Sequence, residues 1–70
     1  MSLYAGMTVN ERLVTAGLIA AWDEAVAKRD RAGMIAVLMA TELSEKQAAE
    51  TTDAVLADPG KYGFPPAPQQ

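Results

Sequence analysis

The chain has 70 residues, of which 50% are hydrophobic and 21% are charged, and it contains neither cysteine nor histidine. Without these side chains there is no disulfide, no thiolate nucleophile, no imidazole base and no zinc site of the usual kind. The net charge of −3 gives no attraction to nucleic-acid phosphates. We therefore expect one small domain that is not an enzyme and that has no metal, no cofactor and no nucleic-acid partner.

The first predicted helix is long and runs from residue 9 to residue 28. It begins after Thr8, which stands three residues before Glu11 in the spacing of a capping box. Leu13 and several alanines cover much of one side of this helix, and a broader apolar stripe follows the other side at helical spacing. The stripe comprises Val14, Leu18, Ile19, Ala21, Trp22, Ala25 and Val26. A helix packed on a single neighbour is polar over about half of its circumference, so this helix has apolar surface to spare.

The second predicted helix covers residues 31–42. Asp30 is a favourable N-cap for it, although Gly33 is a weak helix former in the first turn. No charged residue lies between Arg31 and Glu42, and the apolar stripe consists of Met34, Ile35, Leu38 and Met39. We therefore expect this helix to be the most buried element or to lie in an interface.

The third predicted helix covers residues 45–57 and is amphipathic. Ser44 and Gln47 have the spacing of a second capping box, and Leu43 and Ala48 have that of a hydrophobic staple. A Pro-Gly pair follows the helix and ends it. One face of the helix is polar, so we expect it to lie at the surface.

The predicted fold class is all-α, a small three-helix bundle with helices near 9–28, 31–42 and 45–57. Short connections favour antiparallel neighbours. Residues 1–58 form the helical domain, and residues 59–70, which contain all four prolines, form an extended and flexible tail. No apolar run approaches the roughly 20 residues that a membrane span requires.

The function that these patterns favour is a protein–protein interaction module, working as a homodimer or as a small accessory subunit. At this length a single core rarely supplies more than about 3–5 kcal/mol, and surplus apolar helix surface is typical of a partner site. The partner would be a second copy or another protein. The residues expected at the interface are Leu18, Trp22, Met34, Leu38 and Met39, together with Tyr62 and Phe64 of the tail.

Two other functions stay open. The first is a carrier of a small hydrophobic ligand or lipid, with the methionines and Trp22 lining a slot between helices. The second is a nucleic-acid-binding regulator with a helix-turn-helix. The third predicted helix would be its recognition helix, and the acidic residues of that helix disfavour this function. The neighbouring acids Glu50 and Asp53 could hold Mg²⁺ or divide acid and base roles, but we interpret them as a solvated face.

The chain also resembles short uncharacterised bacterial proteins. The resemblance is carried by NERL at 10–13, LSEKQAA at 43–49, DAVLADP at 53–59 and YG at 62–63. It implies a bacterial, cytoplasmic, all-helical protein, and it brings no activity or ligand with it.

Overall fold

The structure is a computed structural model that describes residues 3–62, all of whose regular elements are helical. The four α-helices are α1 (Val9–Ala16), α2 (Ile19–Ala27), α3 (Arg31–Met39) and α4 (Glu45–Ala57), and a short 3₁₀ helix follows at Pro59–Tyr62. The all-α class is therefore confirmed. Among residues 3–62, no helix combines the length and the apolar character that crossing a bilayer requires.

The single long helix predicted for residues 9–28 is wrong, because the chain breaks at Gly17 into α1 and α2. Gly17 adopts a left-handed φ of 72°, which glycine reaches without a steric penalty. Its N–H donates to the Val14 carbonyl at 3.1 Å, and the Leu18 N–H donates to the Leu13 carbonyl at 2.9 Å. These two hydrogen bonds form a Schellman motif, which satisfies the last carbonyls of α1 and turns the chain. The bundle that residues 3–62 form therefore has four α-helices in place of three.

The break also changes which side chains of α1 face inward. Leu13 is 1% exposed and belongs to the core, whereas Val14 is 62% exposed. The predicted stripe placed Val14 in line with Trp22 and assigned Leu13 to the opposite side. The alignment of Val14 with Trp22 requires a continuous helix. Because the turn at Gly17 separates α1 from α2, each of these helices presents a different face to the core.

The second predicted helix ends earlier than expected, at Met39 instead of residue 42. The Thr41 hydroxyl and the Thr41 N–H both donate to the Leu38 carbonyl, at 2.6 Å and 3.0 Å. Glu42 then adopts a left-handed φ of 71°, which a helix cannot continue through. The tight turn that results leads directly into α4, whose predicted bounds of 45 and 57 are confirmed.

Both predicted capping boxes are present. The Glu11 N–H donates to the Thr8 hydroxyl at 3.2 Å, and the Thr8 N–H donates to the Glu11 carboxylate at 2.9 Å. The second hydrogen bond also lowers the pKa of Glu11. Ser44 and Gln47 make the same reciprocal pair at the start of α4, with both distances at 3.1 Å. Each box satisfies two amides that a helix N-terminus leaves unpaired.

Asp30 caps α3 as predicted, and the cap explains the glycine in the first turn. The Gly33 N–H donates to the Asp30 carboxylate at 3.0 Å. A Cβ placed on Gly33 would lie 2.8 Å from the carboxyl carbon of Asp30. A side chain at this position would therefore displace the capping group, so the low helix propensity of glycine is offset by the cap that glycine permits.

The core is assembled from all four α-helices, with α3 packed against both α2 and α4. Leu13 of α1 and Leu38 of α3 both belong to this core, and Leu38 has no exposed surface. The full buried apolar cluster is Leu13, Trp22, Ala25, Val26, Met34, Leu38, Ala48 and Val55. Because α3 lies between two neighbours, its inner face is completely buried.

The 3₁₀ helix begins where the sequence predicts the tail. Residues 59–62 pack against α4, and the Lys61 N–H donates to the Asp58 carbonyl at 3.2 Å. These residues are therefore helical, not extended. The remainder of the predicted tail, including Phe64, lies outside the described residues.

Thr52 is a buried polar residue whose replacement should stabilise the protein. It has no exposed surface, and its hydroxyl finds no hydrogen-bond partner among residues 3–62. We expect Thr52→Val to raise the free energy of unfolding by about 1 kcal/mol, because valine has nearly the same shape and leaves no hydroxyl desolvated. Urea unfolding followed by circular dichroism measures the change.

The matched control is Thr51→Val at the half-buried neighbouring position. This substitution should stay within about 0.5 kcal/mol of the wild type, because the Thr51 side chain keeps access to water. An equal gain from both variants would show that a general preference for valine, and not the buried hydroxyl, causes the effect.

Candidate interaction surface

Most of the residues predicted for an interface lie inside the chain's own fold. Trp22 is 5% exposed, and Met34 and Leu38 have no exposed surface, so in this fold they offer nothing to a partner or a ligand. Leu18 is half-buried and packs against the same core. The side chains that were expected to cover a partner thus form the core of a single copy.

Met39 is the exception among these residues, since 43% of it is exposed although it directly follows Leu38. Tyr62 is the last residue of the 3₁₀ helix, and Phe64 is outside the described residues. The candidate surface is therefore not the predicted apolar stripe, which is buried, but the outer side of α3.

The outer face of α3 is apolar and free of charge. Its exposed residues recur at intervals of three and four, which places them on one side of the helix; they are Ala32, Ala36, Met39 and Ala40. Ala40 keeps helical backbone angles, so it extends the face beyond the last residue of α3. We refer to these four residues as the outer face of α3. A helix with a buried inner face and an apolar outer face is unusual at a protein surface.

The charge nearest the start of this face is paired with α4. The Arg31 guanidinium binds the Asp53 carboxylate through two hydrogen bonds, Nε to Oδ1 at 2.7 Å and Nη2 to Oδ2 at 3.2 Å. The bond from Arg31 lowers the pKa of Asp53, and the carboxylate raises the pKa of Arg31. Both side chains are more than half exposed, so the pair contributes little to stability. Its effect is to direct the arginine charge toward α4.

Arg12 holds the other end of α3 in place. Its Nη1 donates to the Thr41 carbonyl at 2.6 Å, and its Nε donates to the Met7 carbonyl at 3.3 Å. The guanidinium carbon also lies 5.9 Å from the centre of the Tyr4 ring. Arg12 thus connects the segment before α1 with the turn after α3. The sequence offers no local signal for this contact, because Arg12 and Thr41 are 29 positions apart.

A second ion pair joins Lys28 and Glu24 at the surface of α2. The Lys28 ammonium lies 2.7 Å from the Glu24 carboxylate; this hydrogen bond raises the pKa of Lys28 and lowers that of Glu24. Two of the three cations in the cluster Lys28, Arg29 and Arg31 therefore bind carboxylates of the same chain. Within residues 3–62, no group of three or more acids is arranged to hold a metal ion.

The outer face of α3 consists of alanine and methionine side chains. These side chains supply dispersion contacts and apolar area, and they carry no acid or base. Comparison of the chain with family models, with curated proteins and with solved structures finds no match. The candidate surface is therefore an apolar helix face, and it is assigned from this chain's own residues and not from a relative.

Proposed function

We propose that this protein is a non-enzymatic interaction module that forms a homodimer by packing the outer faces of α3 from two copies against each other. The observation that carries the proposal is that α3 is apolar on both sides, with the inner side in the core and Met39 exposed on the outer side. Pairing removes this outer apolar area from water, which is the main favourable contribution to protein association.

The charge distribution directs a second copy to the outer face of α3. Each chain has a net charge of −3, so two copies repel each other wherever their acidic surfaces meet. The outer face of α3 has no charged side chain between Arg31 and Glu42. In a twofold dimer each residue of the patch meets the patch of the other copy, so this face is where two identical acidic chains can approach without like-charge contacts.

The small side chains on this face also suit close packing of two helices. Ala32, Ala36 and Ala40 follow each other at intervals of four, the spacing of one ridge along a helix. Short ridges permit a close approach of the two backbones, and Met39 can adapt its flexible side chain to the remaining space. We also propose a cytoplasmic setting for this dimer, which is what the sequence resemblance implies.

The proposal predicts that a charge on the outer face of α3 separates the two copies. Ala36→Glu places a carboxylate at a central position, where a twofold dimer brings two such charges together. We expect the dissociation constant to rise at least about 100-fold, because like charges across an interface cost several kcal/mol. Sedimentation equilibrium measures the constant, and circular dichroism verifies that the helices remain.

Ala54→Glu is the matched control. Ala54 is also an exposed alanine within a helix, but it lies in α4, outside the proposed interface. This variant should associate as the wild type does. A wild-type chain that stays monomeric up to millimolar concentration would contradict the homodimer, and so would equal dissociation of the two glutamate variants.

A further inference from the structure

We infer that Met39 is a site of reversible oxidation, at which a hydroperoxide converts the thioether to a sulfoxide and thereby separates the two copies. This inference rests on the proposed homodimer. It starts from the different environments of the methionines in one small chain. Met34 has no exposed surface, whereas Met39 in the same helix is 43% exposed.

Met7 occupies an intermediate environment. It is half-buried, and its sulfur accepts a hydrogen bond from the Thr15 hydroxyl at 3.7 Å. That hydrogen bond engages the lone-pair electrons that attack an oxidant. Among the methionines that the structure describes, Met39 is therefore the most accessible to an oxidant dissolved in water, and Met34 is the least accessible.

The surroundings of Met39 make its oxidation consequential. It shares the outer face of α3 with three alanines, none of which has a side-chain hydrogen-bond donor. A sulfoxide oxygen is a strong acceptor, and in water it is satisfied by solvent. If the face were covered by a second copy, the same oxygen would lose its water without gaining a donor from these side chains, which opposes association.

The reaction needs only the methionine and a hydroperoxide. A sulfur lone pair attacks one oxygen of hydrogen peroxide, so that an S–O bond forms while the O–O bond breaks. The transferred oxygen gives its proton to the departing hydroxide, which leaves as water. Sulfur is oxidised by two electrons and the peroxide is reduced by two, and a sulfoxide reductase can reverse the change.

Association and oxidation oppose each other. The dimer covers Met39, so the oxidant reaches it in the free chain, and the oxidised chain then associates less well. Oxidation of Met39 should accordingly slow down as the protein concentration rises above the dissociation constant, while oxidation of Met7 keeps its rate. This difference in concentration dependence distinguishes a covered side chain from one that is merely less reactive.

The experiment treats the full chain with hydrogen peroxide, locates each added oxygen by peptide mass spectrometry and measures association by sedimentation equilibrium. We expect Met39 to be oxidised well before Met34 and the dissociation constant to rise at least about tenfold. Met39→Leu cannot be oxidised there, keeps an apolar side chain of similar volume, and should associate equally well before and after peroxide. Met7→Leu should respond to peroxide as the wild type does.

Each unfavourable result identifies which idea fails. If Met39 is fully oxidised and the dimer persists, or if Met34 is oxidised first, the inference is wrong and the homodimer stands. If untreated wild type and Met39→Leu are both monomeric, the homodimer fails and the inference fails with it. If peroxide separates Met39→Leu to the same extent as the wild type, another residue is responsible and the assignment to Met39 is wrong.

Discussion

Leu38→Ala should leave a large part of the protein unfolded in water at room temperature. Leu38 has no exposed surface and lies on the inner face of α3, between α2 and α4. Truncation of a buried leucine to alanine costs about 2–5 kcal/mol, which is comparable with the total stability of about 3–5 kcal/mol expected for a domain of this size. Urea titration followed by circular dichroism should show little or no folded baseline.

The control for this prediction is the next residue in the chain. Met39→Ala removes a similar volume from a side chain that is 43% exposed, so it should cost less than about 1 kcal/mol when measured on dilute protein. The fluorescence of Trp22, which belongs to the same core as Leu38, reports independently on folding. A cooperative transition of Leu38→Ala at the wild-type midpoint would contradict the central position of α3 in the core.

Arg12→Ala should lower the free energy of unfolding by about 2 kcal/mol. The guanidinium donates to the Thr41 and Met7 carbonyls, and hydrogen bonds from a charged donor contribute about 1.5–3 kcal/mol each when they are shielded from water. Arg12 is half-buried, and its two acceptors lie in the segment before α1 and in the turn after α3. Loss of the guanidinium should therefore loosen the segment before α1 and the turn after α3 together.

Two further variants separate the geometry of Arg12 from its charge. Arg12→Lys retains the charge, but a compact ammonium lacks the planar fork that reaches two carbonyls at once, so we expect only part of the stability to return. Arg31→Ala removes an exposed arginine that binds Asp53 and should cost at most about 1 kcal/mol. Equal losses from Arg12→Ala and Arg31→Ala would contradict the role of Arg12. Hydrogen exchange of the amides near Thr41 gives a local measurement of the same effect.

The helix starts are the part of the fold that could be predicted most completely from sequence. Thr8, Asp30 and Ser44 are all N-caps, and α4 has the predicted bounds. A capping box involves residues only three apart, so all of its partners are visible in a short stretch of sequence. The capping hydrogen bonds need no tertiary contact, so the structure contains the caps that the sequence predicts.

The break at Gly17 shows where periodicity misleads. The apolar residues on either side of Gly17 fit one helical stripe, and that pattern favoured a continuous helix from 9 to 28. A signal for the break was nevertheless present, because a glycine followed by a leucine is typical of a Schellman motif with its hydrophobic contact. The error also changed the predicted core. A continuous helix places Val14 on the main apolar stripe and Leu13 on the opposite side, whereas in the structure Leu13 is in the core and Val14 is exposed.

The interface residues could not be assigned from sequence, because an apolar residue that faces its own core looks the same as one that faces a partner. Trp22, Met34 and Leu38 are buried within a single copy. Of the interface residues predicted on α3, Met39 alone remains accessible. The absence of charge between Arg31 and Glu42 did predict that α3 has more apolar surface than one side requires. Which residues lie on which side depended on the packing of α2 and α4.

Local interactions thus let the sequence alone determine the all-α class, the three capped helix starts and the uncharged character of α3, because each depends on residues within one or two turns. Only the tertiary structure decided the contact of Arg12 with Thr41, the burial of the Thr52 hydroxyl and the exposure of Met39. These features depend on which segments meet across the bundle. That outcome follows from the left-handed turn angles at Gly17, Arg29 and Glu42, which are single backbone conformations that redirect every residue after them.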